Sequence, residues 1–138
     1  MNKRISSRAI IIENNKLLTF FRRKNKDGKI KEYYSLPGGG QEKGETLEEN
    51  VIRELKEEFN VDIKIIDYLG KKESDNYIEH FFYCTIINGI PKLSGEELER
   101  NCQDNYYELR YIDINEIDKI DIFHKDMINK AVTYAKEK

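Results

Sequence analysis

The chain holds only two cysteines and two histidines in 138 residues. Cys84 and Cys102 are too few for a disulfide framework, and neither has a partner at metal-ligand spacing. They read as reduced thiols of a cytosolic protein, with Cys84 packed in a strand. Long apolar runs are missing too. The start, MNKRISSRAIII, lacks the apolar core of a signal peptide, and no stretch reaches the roughly 18 residues of a membrane helix. A soluble, cytoplasmic protein without a membrane partner is expected.

Charge of one sign is also lacking. Twenty-four basic residues against 26 acidic ones leave a net charge of −2, so no global basic field points to nucleic acid. No basic patch with interleaved aromatics is evident either. No Ser-His-Asp or Cys-His constellation is visible, and His80 and His124 stand isolated. His80, in an apolar strand, reads as a packed residue. The glycine-rich stretch is not a Walker A loop, because Glu45 follows Gly44 where Lys is needed, and it is not a GxGxxG fingerprint. Repeats, linkers and low-complexity tracts are absent.

What is present supports one folded domain over residues 1–138: 38% of the chain is hydrophobic and 36% charged. Ile5 to Ile12 and Leu17 to Phe21 read as strands joined at an Asn14-Asn15 turn. Polar residues 24–31, with Asp27-Gly28, predict an exposed loop, and Tyr33 to Leu36 a short strand feeding the glycines. Ile63 to Lys71 is a further strand. Tyr77 to Ile87 is apolar at both parities, the mark of a central strand covered on both faces. Asn88-Gly89 predicts a hairpin into Ile90 to Leu93. Tyr106 to Ile114 closes the sheet, and Ile122 to Lys136 reads as an amphipathic helix. Two helices and about six strands fit an α/β fold with a mixed sheet covered on both faces.

The informative stretch is LPGGGQEKGETLEENVIRELKEEFNV, Leu36 to Val61. Three glycines let the backbone approach a ligand. A helix starts at Thr46, with Glu49 completing a capping box. Leu47, Val51, Ile52, Leu55 and Phe59 recur at helical spacing as one apolar face. Beside it Glu54, Glu57 and Glu58 fall within an arc of roughly 100°. Like charges at such spacing destabilise a helix unless a cation sits among them. Mg²⁺ or Mn²⁺, held by carboxylates, waters and phosphates, suits such oxygens; a solvated acidic face is the alternative for the three glutamates alone.

The full spacing decides between them. Gly39, five residues, Glu45, seven residues, then Arg53-Glu54-Leu55-x-Glu57-Glu58-x-x-Val61 resembles the Nudix box, G-x5-E-x7-R-E-U-x-E-E-x-G-U with U aliphatic. At residue usage of roughly 5–10%, chance agreement at six fixed positions is on the order of 10⁻⁶ to 10⁻⁷. Asn60 replaces the family's last Gly, and Asn is the commonest substitute in left-handed geometry.

The resemblance implies a Nudix-type α/β/α sandwich and metal-dependent hydrolysis of a diphosphate linkage in a nucleoside diphosphate derivative. It implies Mg²⁺ or Mn²⁺ bound by Glu57, Glu58 and the Gly39 carbonyl, with Glu54 as ligand or general base. Arg53 is implied to pair with Glu45 and hold loop to helix. An acid outside the box is often a further ligand or base in the family; Glu97 and Glu99 are the leading candidates, ahead of Glu108. Arg22 and Arg23 point to opposite faces by strand alternation, so at most one reaches phosphate. Tyr33, Tyr34, Tyr77, Tyr106 and Tyr107 are candidates to stack on a base. A nucleoside triphosphate, ADP-ribose, a nucleotide sugar and a dinucleoside polyphosphate stay open as substrates. A homodimer is expected only by analogy, and a non-catalytic nucleotide sensor on the same fold is the competing function.

Overall fold

The computed structural model describes residues 3–94, 102 and 105–136. In chain order its elements are β1 (Arg4–Glu13), β2 (Lys16–Lys26), β3 (Lys29–Ser35), the short β4 (Gly38–Gly40), α1 (Leu47–Phe59), β5 (Asp62–Glu73), β6 (Tyr77–Asn88), β7 (Asn105–Asp113), a 3₁₀ helix (Ile114–Lys119) and α2 (Lys125–Lys136). The strands form one mixed sheet along β3-β2-β1-β6-β5, with β4 on β1 and β7 on β2. β1 and β6 run parallel, in register from Arg4/Tyr77 to Ile11/Cys84. The expected sheet between helices is the fold adopted.

Each face of the sheet carries its own core. Ala9, Ile11, Phe82 and Cys84 meet Val51, Leu55 and Phe59 of α1. Ile10, Phe81 and Tyr83 meet Ile128 and Ala131 of α2 and Ile117 of the 3₁₀ helix. Both parities of β1 and β6 are therefore buried, as a central strand requires. Burial of a side chain such as Leu55 contributes about 1.5–3 kcal/mol.

Three local expectations are corrected. Residues 24–31 form no loop: β2 and β3 stay paired from Phe20/Ser35 to Lys26/Lys29, and only Asp27 and Gly28 turn, both at positive φ. Polar side chains do not prevent a backbone ladder. The Asn88-Gly89 hairpin is not formed. Residues 90–94 instead run along the end of α1, where Lys92 N–H donates to the Phe59 carbonyl (3.1 Å) and Ser94 N–H to Glu58 (2.8 Å). Gly89 allows that close passage, since a Cβ on it would stand 2.6 Å from the Asn60 carbonyl.

The closing helix starts at Lys125, not Ile122. The residues before it are spent on pairing with β3: Tyr34 N–H donates to Asp121 O (2.9 Å) and Phe123 N–H to Tyr34 O (3.2 Å). That pairing carries Phe123 and His124 to the edge of the cleft described next. No helix among the described residues is long and apolar enough to cross a membrane.

Candidate active site

α1 begins and ends as its sequence dictates. Thr46 Oγ1 accepts from Glu49 N–H (3.1 Å) and Glu49 Oε1 accepts from Thr46 N–H (2.8 Å), the two halves of a capping box. Asn60 closes the helix at φ 62°, in the left-handed region. One residue of the expected apolar face is misassigned. Ile52 is 40% exposed, while Asn50 is fully buried. A wide stripe at 3.6 residues per turn takes in one flank or the other, and here α1 is rotated toward the glycines.

The glycines are a strand, not a loop. β4 lies antiparallel to β1 through Ser6/Gly40, Ser7/Gly39 and Arg8/Gly38. Gly38 has φ 151°, and a Cβ there would stand 2.1 Å from the Ser7 carbonyl oxygen. A Cβ on Gly39 would instead meet the Glu54 carboxyl at 2.5 Å. The first glycine permits strand pairing; the second makes room for a carboxylate.

Arg53 ties the bend to the helix. Its Nε and Nη2 donate to the two Glu45 oxygens (2.9 and 2.8 Å), and Nη2 also reaches the Gly40 carbonyl (2.9 Å). Bidentate, charge-assisted pairs of this kind are strong. Nη1 faces Glu54 (3.3 Å) and Glu57 (3.2 Å). The pair shifts both partners toward their charged forms: Arg53 holds the Glu45 carboxyl below its usual range, and Glu45 raises Arg53.

The three glutamates share one side of α1 but not one position. Glu54 and Glu58 line a cleft of about 790 Å³. Glu57 is turned to Arg53, with 54% of its side chain exposed. Burial pushes the Glu54 carboxyl above its usual range; Arg53 pulls it down, and Glu58 and Glu57 push it up. Among the described residues no three acidic, His or Cys side chains are gathered into a ready-made cation cage. The donor set is nonetheless one a hard divalent cation fits: carboxylate and carbonyl oxygens only, beside a glycine whose missing Cβ is the space Glu54 fills. Mg²⁺ commonly takes few carboxylates and completes its shell with water and phosphate.

The opposite wall was missed by sequence reasoning, which left His124 isolated. Glu79 Oε2 lies 2.9 Å from His124 Nε2, and Glu79 Oε1 3.4 Å from Arg8 Nε. Arg8 Nη1 also donates to the Leu36 carbonyl (3.0 Å). His124, helped by Arg8 and opposed by burial, holds the Glu79 carboxyl below its usual range. A signal existed: Arg8 is the one Lys, Arg, Asp or Glu between Ile5 and Ile12, and Glu79 the one between Tyr77 and Ile87.

The cleft also sorts the remaining candidates. Arg22 lines it, over the Tyr107 ring (5.0 Å) and bonded to Asn105 Oδ1 (3.2 Å), whereas Arg23 lies over Tyr106. Tyr33, Tyr77 and Tyr107 line it too. Tyr34 and Tyr106 turn to Phe21 on the other face. Glu108 is taken by Tyr106 and Arg110 on that same far face. Glu97 and Glu99 lie outside the described residues. His80 is half-buried, with Nδ1 2.8 Å from the Tyr68 hydroxyl, and is not among the residues lining the cleft.

A family model described as the NUDIX domain matches residues 3–131. This chain belongs to the Nudix family of pyrophosphohydrolases. It is 32% identical over 120 residues to the ADP-ribose pyrophosphatase of Methanocaldococcus jannaschii, covering 87% of this chain and 68% of that protein. A Caenorhabditis elegans protein named for the Nudix hydrolases is 29% identical over 103 residues, which span 72% of this chain and 27% of that one. Among solved structures, an ADP-ribose pyrophosphatase of Streptococcus suis superposes with TM-score 0.68 at 16% identity, over 97% and 92% of the two chains. In this Nudix domain the family box is thus the seam between β4 and α1.

Proposed function

We propose that this Nudix domain uses Mg²⁺ or Mn²⁺ to hydrolyse the diphosphate linkage of a nucleoside diphosphate joined to a further group, of the ADP-ribose or nucleotide-sugar kind. The observation that carries the reading is the Glu54 carboxyl, half-buried against Gly39 and sharing a cleft wall with Glu58. A half-buried acid flanked by two others strains the helix even with Arg53 beside it, since like charges at helical spacing repel.

Glu58, Glu57 and the Gly39 carbonyl would hold the cation, Glu57 by exchanging its contact with Arg53 for one to metal. When bound, such a cation lowers the pKa of water and neutralises phosphate oxygens. Glu54, whose carboxyl already sits above its ordinary range, is suited to take the proton of the attacking water or to join the ligands; a base works best with its pKa raised toward the operating pH. Arg53 keeps helix and bend in register. Arg22 offers a planar fork for phosphate at the end of the cleft where Tyr33 and Tyr107 present rings for a base. The relative named ADP-ribose pyrophosphatase supports this substrate class over a dinucleoside polyphosphate.

The test is an assay with ADP-ribose, nucleotide sugars, nucleoside triphosphates and dinucleoside polyphosphates, each with Mg²⁺ and Mn²⁺, products separated by anion exchange. Release of a nucleoside monophosphate and a phosphorylated second product is expected. Cleavage that persists unchanged in chelator, or no cleavage of any of the compounds, overturns the reading.

A further inference from the structure

Asn50 is a poor choice for where it stands. It sits within α1, one turn before Glu54 and two before Glu57 and Glu58, and is fully buried. Asn favours competing backbone contacts and is a weak helix former, and a small apolar residue would fill an apolar seam without leaving a polar atom to satisfy. Its amide is spent wholly on the glycine bend: Nδ2 donates to the Gly40 carbonyl (3.0 Å) and the Gly39 carbonyl (3.3 Å). Among the described residues its Oδ1 is buried with no hydrogen-bond partner. The orientation is fixed by chemistry, since turning the amide over would aim Oδ1 at two carbonyl oxygens.

The bend is therefore held from two points one turn apart on α1. Arg53 grips Gly40 through a charged guanidinium that Glu45, Glu54 and Glu57 also address. Asn50 grips both Gly39 and Gly40 with a neutral group that, among the described residues, is hydrogen-bonded to no carboxylate. Were Glu57 to exchange Arg53 for a divalent cation, the charged grip would be redistributed; the neutral one would not.

We infer that Asn50 is a positioning residue: a charge-independent clamp that fixes the direction of the Gly39 carbonyl and so sets cation affinity without touching substrate. The inference rests on the cation site proposed above. Groups behind the first ligands commonly change metal affinity by about ten- to a hundredfold.

Mn²⁺ binding without substrate, followed by the electron paramagnetic resonance of the free ion, tests it in the full chain with Asn50→Ala, Asn50→Ser and the packing control Val51→Ala. The expected result is a Mn²⁺ dissociation constant raised about tenfold in Asn50→Ala, less in Asn50→Ser, whose hydroxyl can still donate, and unchanged in Val51→Ala although its melting temperature falls. Wild-type affinity in Asn50→Ala, or an equal loss in Val51→Ala, overturns the clamp and leaves the cation site standing. Absence of saturable Mn²⁺ binding in the wild type overturns both. Should Asn50→Ala not fold, Asn50→Ser decides by the same criterion.

Discussion

The two walls of the cleft are built by opposite means. The acidic wall, Glu54 and Glu58 with Gly39 and Arg53, comes from twenty consecutive residues, 39–58, and its geometry is largely that of one helix turn against one bend. The facing wall joins Arg8 on β1, Glu79 on β6 and His124 before α2. Nothing local links those three. The parallel pairing of β1 with β6 sets Arg8 beside Phe81, two residues past Glu79 and so on the same face of the strand, and the pairing of residues 121–123 with β3 swings His124 to meet them. A function that demands fixed spacing among carboxylates is written within a single element. A cluster of charges that no single element carries is assembled from distant ones.

That contrast breaks first at Glu58. Glu58→Gln should lower kcat by about 10²–10³-fold, the cost of removing one preorganised electrostatic stabiliser, with the thermal transition unmoved because the side chain lies at a cleft wall. Turnover within a few-fold of wild type at saturating Mg²⁺ would remove the acidic wall from the chemistry.

The adjacent glycines sharpen it. Gly39→Ala should fold, because the atoms its new Cβ meets most closely belong to the movable Glu54 carboxyl, and it should lose activity by about tenfold or more through the displaced group. Gly38→Ala should fail differently, in stability, since its Cβ strikes the Ser7 backbone at 2.1 Å. Paired melting curves and initial rates on the two variants separate these outcomes; identical profiles would mean the two positions do one job.

On the facing wall a smaller and different loss is expected. Glu79→Gln leaves Arg8 and His124 without their carboxylate, and KM for the best substrate should rise about tenfold while kcat changes little, the pattern of lost uniform binding. A kcat collapse in Glu79→Gln would place that wall in the chemistry instead.

The smallest effect is in pH dependence. The folded state holds the Glu79 carboxyl below its usual value, so its pairing adds stability in full above the unfolded carboxylate pKa. That stability fades as pH falls through the depressed folded value, because only the unfolded chain takes up the proton readily. Urea midpoints measured from pH 7 down to pH 3 should therefore fall less steeply for Glu79→Gln than for wild type. Parallel curves would show that the ion pair carries no net stability.

The same division runs through the fold. Both ends of α1 were readable because capping chemistry is local: Thr46 and Glu49 bond each other, and the Asn60 N–H returns to the Leu55 carbonyl. The two-faced burial of β6 was readable because it needs only composition. The β2–β3 hairpin was underestimated because ladder hydrogen bonds are made by backbone, which polar side chains at 24–31 do not report. Asn88-Gly89 misled for the converse reason. Gly89 is needed for a tight passage past Asn60, a contact between segments far apart in sequence, and a turn dipeptide looks the same in either use.

By itself, then, the order of residues determined the seam of box and helix. Within a few turns, spacing translates directly into angle and distance, and the capping residues leave the backbone no other economical course. Only the tertiary structure decided which carboxylates look into the cleft, that Asn50 rather than Ile52 is covered, and what stands across from them. Those outcomes depend on how far α1 rotates over the sheet and on which strands lie side by side, and both are set by burying two cores at once.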